Sequence, residues 1–451
     1  MNSSARLILG AARPTWSICA LTLCLLFPCA NCQEAHAAEP TRAADGFWHY
    51  EGKHLTLITD IEPHPALAEL TVVFDQAVPL WAEYFQVDVA TLRNWHLTGH
   101  LMSVEARFRN GGYLPDDLPP FLHGYQRGTE FWFREQASDY YRRHLMLHEG
   151  THGFMHQVLH SQGPGWYMEG VAELLATHEW ADRQLRLNHL PERKELVPDW
   201  GRIRILRDAY ASGKTRTLRE VMATTTREFQ AVEGYAWSWA AAAFLDAQPQ
   251  WSAVFRTWSD PRVLSRDAFN EQAWAALQAV GGGSIEEAWQ IFLQQVDYGY
   301  DIAADAIQYQ PSAPPRNLGG NLGWQVDVDP RAGWQATGIL LDANRSYHVT
   351  TTGRYQIMAG ERPWHSEAGG ITLRYCDGRP LGALLGAVRP SAAASGVETP
   401  ASSALLSPIE LGTEYQLEPS RSGELFVRIN ERAGQRSDNV GQLTVQVAPS
   451  N

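Results

Sequence analysis

Ser138-Asp-Tyr-Tyr-Arg-Arg-His-Leu-Met-Leu-His148-Glu149-Gly150-Thr151-His152-Gly-Phe-Met-His-Gln-Val-Leu159 is the stretch on which the fold turns. Ser138 is a good helix N-cap, and Leu145, Leu147, Phe154, Met155, Val158 and Leu159 give the run its apolar side. Gly163 is the expected stop. On such a helix residues four apart share a face, so the imidazoles of His148 and His152 can reach one metal ion. Glu149 lies about a quarter turn round, where it can face a water beside that ion. Gly150 and Gly153 each cost a helix about 1 kcal/mol relative to alanine, which implies either room for a substrate or close helix packing.

A Gly163-Pro164-Gly165 turn then leads into Trp166-Tyr-Met-Glu169-Gly-Val-Ala-Glu173-Leu-Leu-Ala176. A turn of that kind folds a second helix back on the first and presents Glu169 as a third ligand. Catalytic zinc takes three protein ligands and keeps a fourth position open, and His148, His152 and Glu169 meet that need. His156 and His160 continue the four-residue stripe, but no carboxylate accompanies them, so they read as helix-surface histidines.

With these residues in view, the chain resembles the gluzincin metallopeptidases of the thermolysin/aminopeptidase-like superfamily over roughly residues 45–300. The resemblance rests on His148, Glu149, His152 and Glu169. It implies zinc as cofactor, Glu149 as general base for a zinc-activated water, and Glu173 as the acidic residue that orients a ligand histidine. It also implies an edge strand, Thr129–Arg134, that pairs with the substrate backbone. The metzincin pattern does not fit, because its glycine and third histidine would fall on Met155 and Val158. An oxyanion needs a donor beyond the metal, and Tyr235 is the candidate, with Tyr210 behind it.

Outward from this centre, Lys53–Thr59 alternates like a half-buried strand, residues 64–86 show helical spacing, and Trp95–Ser103 reads as a further strand. From Ser138 to about Tyr300 the pattern is mostly helical, including Tyr235–Ala247 and Gln272–Val280. Upstream, Arg6, Arg13, an apolar run over residues 16–30 and Ala35-His-Ala37 describe a secretory signal peptide, residues 1–38. About 15 apolar residues are too few for the roughly 20 that span a bilayer. Four of the five cysteines lie within that segment, so export without disulfides and no membrane span after cleavage are the expectation. A net charge of −13 argues against a general nucleic-acid binder, which needs a basic surface.

Residues 309–320 are rich in Pro, Gly and Ser and read as a linker. Beyond them, Trp324–Val328, Thr337–Leu341, Ser346–Thr352, Ile371–Tyr375, Glu424–Ile429 and Gln442–Val447 are short runs between turns, and Pro390–Ser403 is a small-residue loop. This is the signature of a β-sandwich over 321–451. Phe426-Val-Arg-Ile-Asn430-Glu431 followed by Asp438-Asn439-Val-Gly441 resembles the closing hairpin of calcium-dependent galactose-binding bacterial lectins. That resemblance implies Ca²⁺ held by Glu431, Asp438 and Asn439 side chains with the Gln435 carbonyl. It departs from the family at Glu431, where aspartate is usual. Trp364 and His365 would line a sugar site.

The sequence therefore predicts an α+β zincin-like metallopeptidase body over 45–308, then an all-β sandwich. The expected function is an exported zinc peptidase acting on peptides or proteins, glycosylated ones included. The rival is a non-catalytic envelope or carbohydrate-binding protein with a structural or vestigial zinc site, which Glu149 disfavours because a purely structural site needs no general base.

Overall fold

Alternating apolar residues put Leu55 and Leu57 on one side of a strand and Ile58 on the other, and the first sheet is built on that rhythm. The computed structural model describes residues 39–160, 163–280, 283–390 and 403–450. The expected signal peptide, with its four cysteines, and residues 391–402 lie outside them.

The sheet comprises β1 (Thr41–Arg42), β2 (Trp48–Glu51), β3 (Leu55–Thr59), β4 (Leu97–Met102), β5 (Gly124–Arg127) and β6 (Glu130–Arg134), in spatial order β1-β2-β3-β4-β6-β5. β3, β4 and β6 run parallel, while β5 returns antiparallel to β6. The strand at 130–134 is therefore interior, flanked on both sides, and the edge expected there is supplied by β5. Sequence reading missed β5 because Gly-Tyr-Gln-Arg has no apolar alternation.

Helix α1 (Pro65–Tyr84) connects β3 to β4 and covers one face with Phe74 and Trp81, beside Phe131 and Phe133 of β6. The short α2 (Glu105–Asn110) leads toward the opposite face, where Phe47, Ile58, Met102, Phe108 and Trp132 form a smaller core. Helix α3 (Asp139–Gln157) starts at Ser138, whose Oγ accepts from Tyr141 N at 3.3 Å. It ends at Gln157, short of Gly163, and His160 adopts a left-handed φ of 51°. A Cβ on Gly150 would come within 2.6 Å of Phe74 and 2.7 Å of Trp81, and one on Gly153 within 2.6 Å of Leu97. Both glycines therefore serve close packing of α3 on α1 and the sheet.

Helix α4 (Gly165–Ala176) folds back against α3. A hairpin, β7 (His178–Ala181) and β8 (Gln184–Leu187), interrupts the helical region at a place the sequence pattern did not reveal. Then come α5 (Arg202–Ala211), α6 (Leu218–Met222) and α7 (Val232–Ala247), the last packed along α4.

The C-terminal region is all-β. One sheet carries, in order, Trp364–Ser366, Tyr347–Met358, Val440–Pro449, Trp324–Val328 and Arg316–Asn317, with Glu414–Leu417 also paired to Tyr347–Thr350. The other carries Gln335–Leu341, Gly423–Ile429, Arg379–Pro390 and Gly369–Cys376. Val349 and Val445 from the first sheet share a core with Ile339, Leu384 and Leu425 from the second. The strand Arg379–Pro390 was not legible because it is buried on both faces. Leu384 enters the sandwich core, whereas Leu385 and Ala387 join the core of the helical body. A strand covered on both sides loses the alternation that marks a half-exposed one.

All described residues fall within one compact unit. The stretch read as a linker has structure of its own: Tyr309 is buried in the main core and Arg316–Asn317 pairs with Trp324 and Gln325. Across the junction Glu287 accepts from Arg389 Nε at 2.9 Å and from Ser403 Oγ, and buried Arg436 pairs with Asp305.

Candidate metal centre

Helices α3 and α4 bring His148, His152 and Glu169 together, with ligand atoms all within 4.8 Å of one another. His148 Nε2 is 3.1 Å from Glu169 Oε2, His152 Nε2 is 3.2 Å from the same oxygen, and the two Nε2 atoms are 3.1 Å apart. The two rings cross at 86°. Burial alone would raise the Glu169 carboxyl, but the two histidines outweigh it and hold it down at about 2.

His148 Nδ1 faces Glu173 Oε1 at 3.4 Å without forming a hydrogen bond. The neutral tautomer that carries its proton on Nδ1, on the side of that carboxylate, presents a lone pair at Nε2. Two imidazole lone pairs and a carboxylate oxygen converging at about 3 Å repel one another unless a cation or a shared proton lies among them. This donor set, two nitrogens and one oxygen, suits Zn²⁺. The residues present therefore fit the metal the sequence implied.

Glu173 is buried on the inner side of α4 and held well below the usual carboxylate range: burial works the other way, and Arg202 and His144 overcome it. His144, Glu173 and His148 form a second cluster with metal-ligand spacing. Arg202 already occupies both Glu173 oxygens, at 3.0 and 2.9 Å, so that cluster supports the first one instead of holding a second ion.

Glu149 is buried, and burial pushes its carboxyl up to about 8, with the charges of Glu169 and Glu173 adding to the rise and His152 opposing it. The edge strand passes directly over it. A Cβ on Gly124 would fall inside van der Waals distance of Glu149 Oε1, so only glycine lets β5 approach this closely.

Tyr235, in the first turn of α7, stands with its ring centroid 6.0 Å from that of His148 and 5.3 Å from that of Phe229. Burial raises its phenol above the usual value, and the Glu169, Glu149 and Glu173 carboxylates raise it further. It is thus a neutral hydroxyl at neutral pH. Tyr210 is exposed on α5, and His156 and His160 are exposed beyond the centre.

Three contributors were not singled out from sequence. His144 sits one turn before His148, and the four-residue stripe extended backwards would have found it. Gly124 and Arg202 carry no local signal, since each acts on a helix far from it in the chain.

In the C-terminal region the loop after Gly423–Ile429 brings Glu431 and Asn439 together. Asn439 Nδ2 donates to Glu431 Oε2 at 2.8 Å and to the Pro330 carbonyl at 3.0 Å, and its buried Oδ1 has no hydrogen-bond partner. Asp438 Oδ2 instead accepts from Ala359 N at 2.7 Å. Burial pushes the Glu431 carboxyl up to about 7, with Asp438 raising it further and Asn439 and Arg436 opposing. Arg436 is fully buried and donates to the Ala332 carbonyl at 2.7 Å as well as to Asp305. Gln435 is exposed in the same turn. The Trp364 ring already carries the Arg374 guanidinium 4.6 Å from its centroid, and His365 is exposed.

No protein-family model and no curated protein matches the chain. A solved structure described as "EclA N-terminal domain; PllA-like lectin" is similar to it at 19% identity, over 29% of this chain and 98% of that chain, with a TM-score of 0.22. Among the described residues no helix is long and apolar enough to cross a membrane.

Proposed function

We propose that this chain is an exported zinc-dependent peptidase of the gluzincin type. The observation that carries the reading is the convergence of His148 Nε2, His152 Nε2 and Glu169 Oε2 within 3.1–3.2 Å of one another, with Glu173 Oε1 3.4 Å behind His148 Nδ1. Zinc held by these three ligands would supply Lewis acidity and lower the pKa of a water. Glu149, buried beside the ligands on the same helix, is placed to accept the proton of an attacking water and to return it to a leaving amine. The neutral Tyr235 hydroxyl can donate to a carbonyl oxygen as negative charge develops there. The outer edge of β5, free of any partner strand in its sheet, offers backbone groups to an extended peptide directly above Glu149.

The rival, a binding protein with a structural zinc, has no use for a carboxyl buried beside the ligands, since burying one costs desolvation without a return. Cleavage of a diverse peptide library by the mature protein, followed by mass spectrometry with Glu149→Gln alongside, separates the two. Cleavage that vanishes in the variant supports the peptidase. Cleavage of glycan-linked amides but no peptide would move the reading to a different amide, and no hydrolysis by zinc-loaded protein would favour the rival.

A second reading concerns the C-terminal region. Asn439 Oδ1 is a buried acceptor without a donor, next to a Glu431 carboxyl that burial leaves under-compensated. All-oxygen sets of this kind suit Ca²⁺. On this reading calcium binds at Glu431 and Asn439, with Asp438 contributing after releasing Ala359 N, and the region targets the enzyme to glycosylated surfaces. Calorimetric titration with CaCl₂, then with a galactoside, tests it, and Glu431→Ala should abolish any calcium heat.

A further inference from the structure

Both oxygens of Glu173 are met twice. Oε1 faces Arg202 Nη2 at 2.9 Å and His148 Nδ1 at 3.4 Å, while Oε2 faces Arg202 Nε at 3.0 Å and His144 Nε2 at 3.3 Å. His144 is fully buried and its Nδ1 lies 3.0 Å from the Ala176 carbonyl, which fixes a proton on Nδ1 and leaves Nε2 without a hydrogen-bond partner. Two imidazoles thus face one carboxylate, neither of them hydrogen-bonded to it, and only His148 belongs to the ligand set.

Arg202 breaks that symmetry. It is the first residue of α5, entered through Gly201 at φ 62° and anchored by Trp200, whose ring meets Trp239 edge-on at 4.8 Å. Every part of its guanidinium is committed: Nη1 donates to the Trp200 carbonyl at 2.9 Å, Nη2 also reaches the Tyr141 hydroxyl at 3.4 Å, and the group lies over the Tyr141 ring. With 3% of its surface exposed, Arg202 has no donor left for a substrate. A planar fork that grips both carboxylate oxygens sets the plane of the carboxylate, which a single ammonium does not do.

We propose that Arg202 is a positioning residue of the zinc centre: it locks the Glu173 carboxylate so that Oε1 stays aimed at His148 Nδ1 and His148 Nε2 stays aimed at the ion. This rests on the zinc reading. Without Arg202 nothing fixes the plane of the carboxylate, Oε1 is free to turn away from His148 Nδ1, and the His148 ring loses its support.

The test is zinc affinity by chelator competition, together with the visible spectrum of the Co²⁺-substituted protein. Wild type, Arg202→Met, Arg202→Lys, Glu173→Gln and the Arg202→Met/Glu173→Gln double variant are compared. Arg202→Met should weaken zinc about 10–100-fold, the range typical for loss of such a support, and shift the Co²⁺ bands. Arg202→Lys should recover only part of the loss, and the double variant should bind no more weakly than the worse single one. Wild-type affinity and spectrum in Arg202→Met would overturn the proposal, as would losses in the double variant that multiply. Should Arg202→Met not fold, Arg202→Lys decides alone: an unchanged affinity and spectrum overturn it. Wild type that binds no zinc is a separate result, which removes the zinc reading and the proposal with it.

Discussion

The centre on α3 and α4 and the loop at Glu431–Asn439 are both buried clusters of carboxylate and polar side chains, yet they are wired differently. At the first, the counter-charge stands behind the ligands. Arg202 neutralises Glu173, Glu173 stands 3.4 Å behind His148 Nδ1, and three ligand atoms are left facing each other. At the second, the nearby cation is spent elsewhere, because Arg436 is turned to Asp305 and the Ala332 carbonyl. Glu431 keeps a raised proton affinity and Asn439 Oδ1 keeps no donor. The contrast shows what preorganisation means physically. A metal site is better prepared when the charges behind its ligands are paired and the ligand atoms are left facing one another.

The largest effect that would break this contrast is on chemistry. Glu149→Gln should lower kcat by about 10²–10⁴ while zinc content stays at the wild-type level, as steady-state kinetics and metal analysis would show. Retained activity would mean that the buried carboxyl beside the ligands is not the base. Next comes Gly124→Ala, which pushes β5 off Glu149. A displacement near 1 Å is worth about 10²-fold in kcat/KM, again with zinc affinity intact. If peptide turnover is unaffected, the edge strand does not form the substrate cleft.

Legibility followed the same division. The His148/His152/Glu169 cluster was readable because a helix converts sequence spacing into shared faces, and the His148/His152 pair and Glu169 each sit on one helix beside a recognisable turn. The supports were not, because Gly124 and Arg202 act through tertiary approach on residues remote in the chain, and nothing local distinguishes either. In the fold, Leu55–Thr59 reads as a half-buried strand from its alternation, yet both its faces are covered, Leu55 and Leu57 by the main core and Ile58 by the smaller one. Gly124–Arg127 is too short and polar to show alternation, and Arg379–Pro390 is covered on both faces and so reads as a plain apolar run. The closeness of the two regions was also hidden, since Pro, Gly and Ser at 309–320 look like a spacer even though Tyr309 is anchored in the core.

On the stability side, Arg436→Met should destabilise the fold by about 3–5 kcal/mol, because it leaves buried Asp305 without its cation and with only the Tyr300 hydroxyl donating to it. Chemical denaturation would report it, and zinc affinity should not change. Gly150→Ala should cost about 1–3 kcal/mol through overpacking against Phe74 and Trp81. A neutral result there would contradict the close packing of α3 on α1.

The smallest effect is on pH dependence. Glu431 holds its proton up to about pH 7 when folded but releases it near the ordinary carboxyl value when unfolded. Folding therefore takes up a proton between those limits, and the Glu431 contribution to stability falls as pH rises through the window. Glu431→Gln should flatten that part of the profile, and saturating calcium, if it binds there, should flatten it as well. An unchanged slope in the variant would show that Glu431 is not the under-compensated group.

The most direct test of the account is zinc stoichiometry and affinity, measured by metal analysis and chelator competition on the wild type and on His148→Ala, His152→Ala and Glu169→Ala. The account predicts one tightly held zinc per chain that is lost or severely weakened in each variant. Wild-type protein that retains no zinc, or variants that hold it as firmly as wild type, would contradict it.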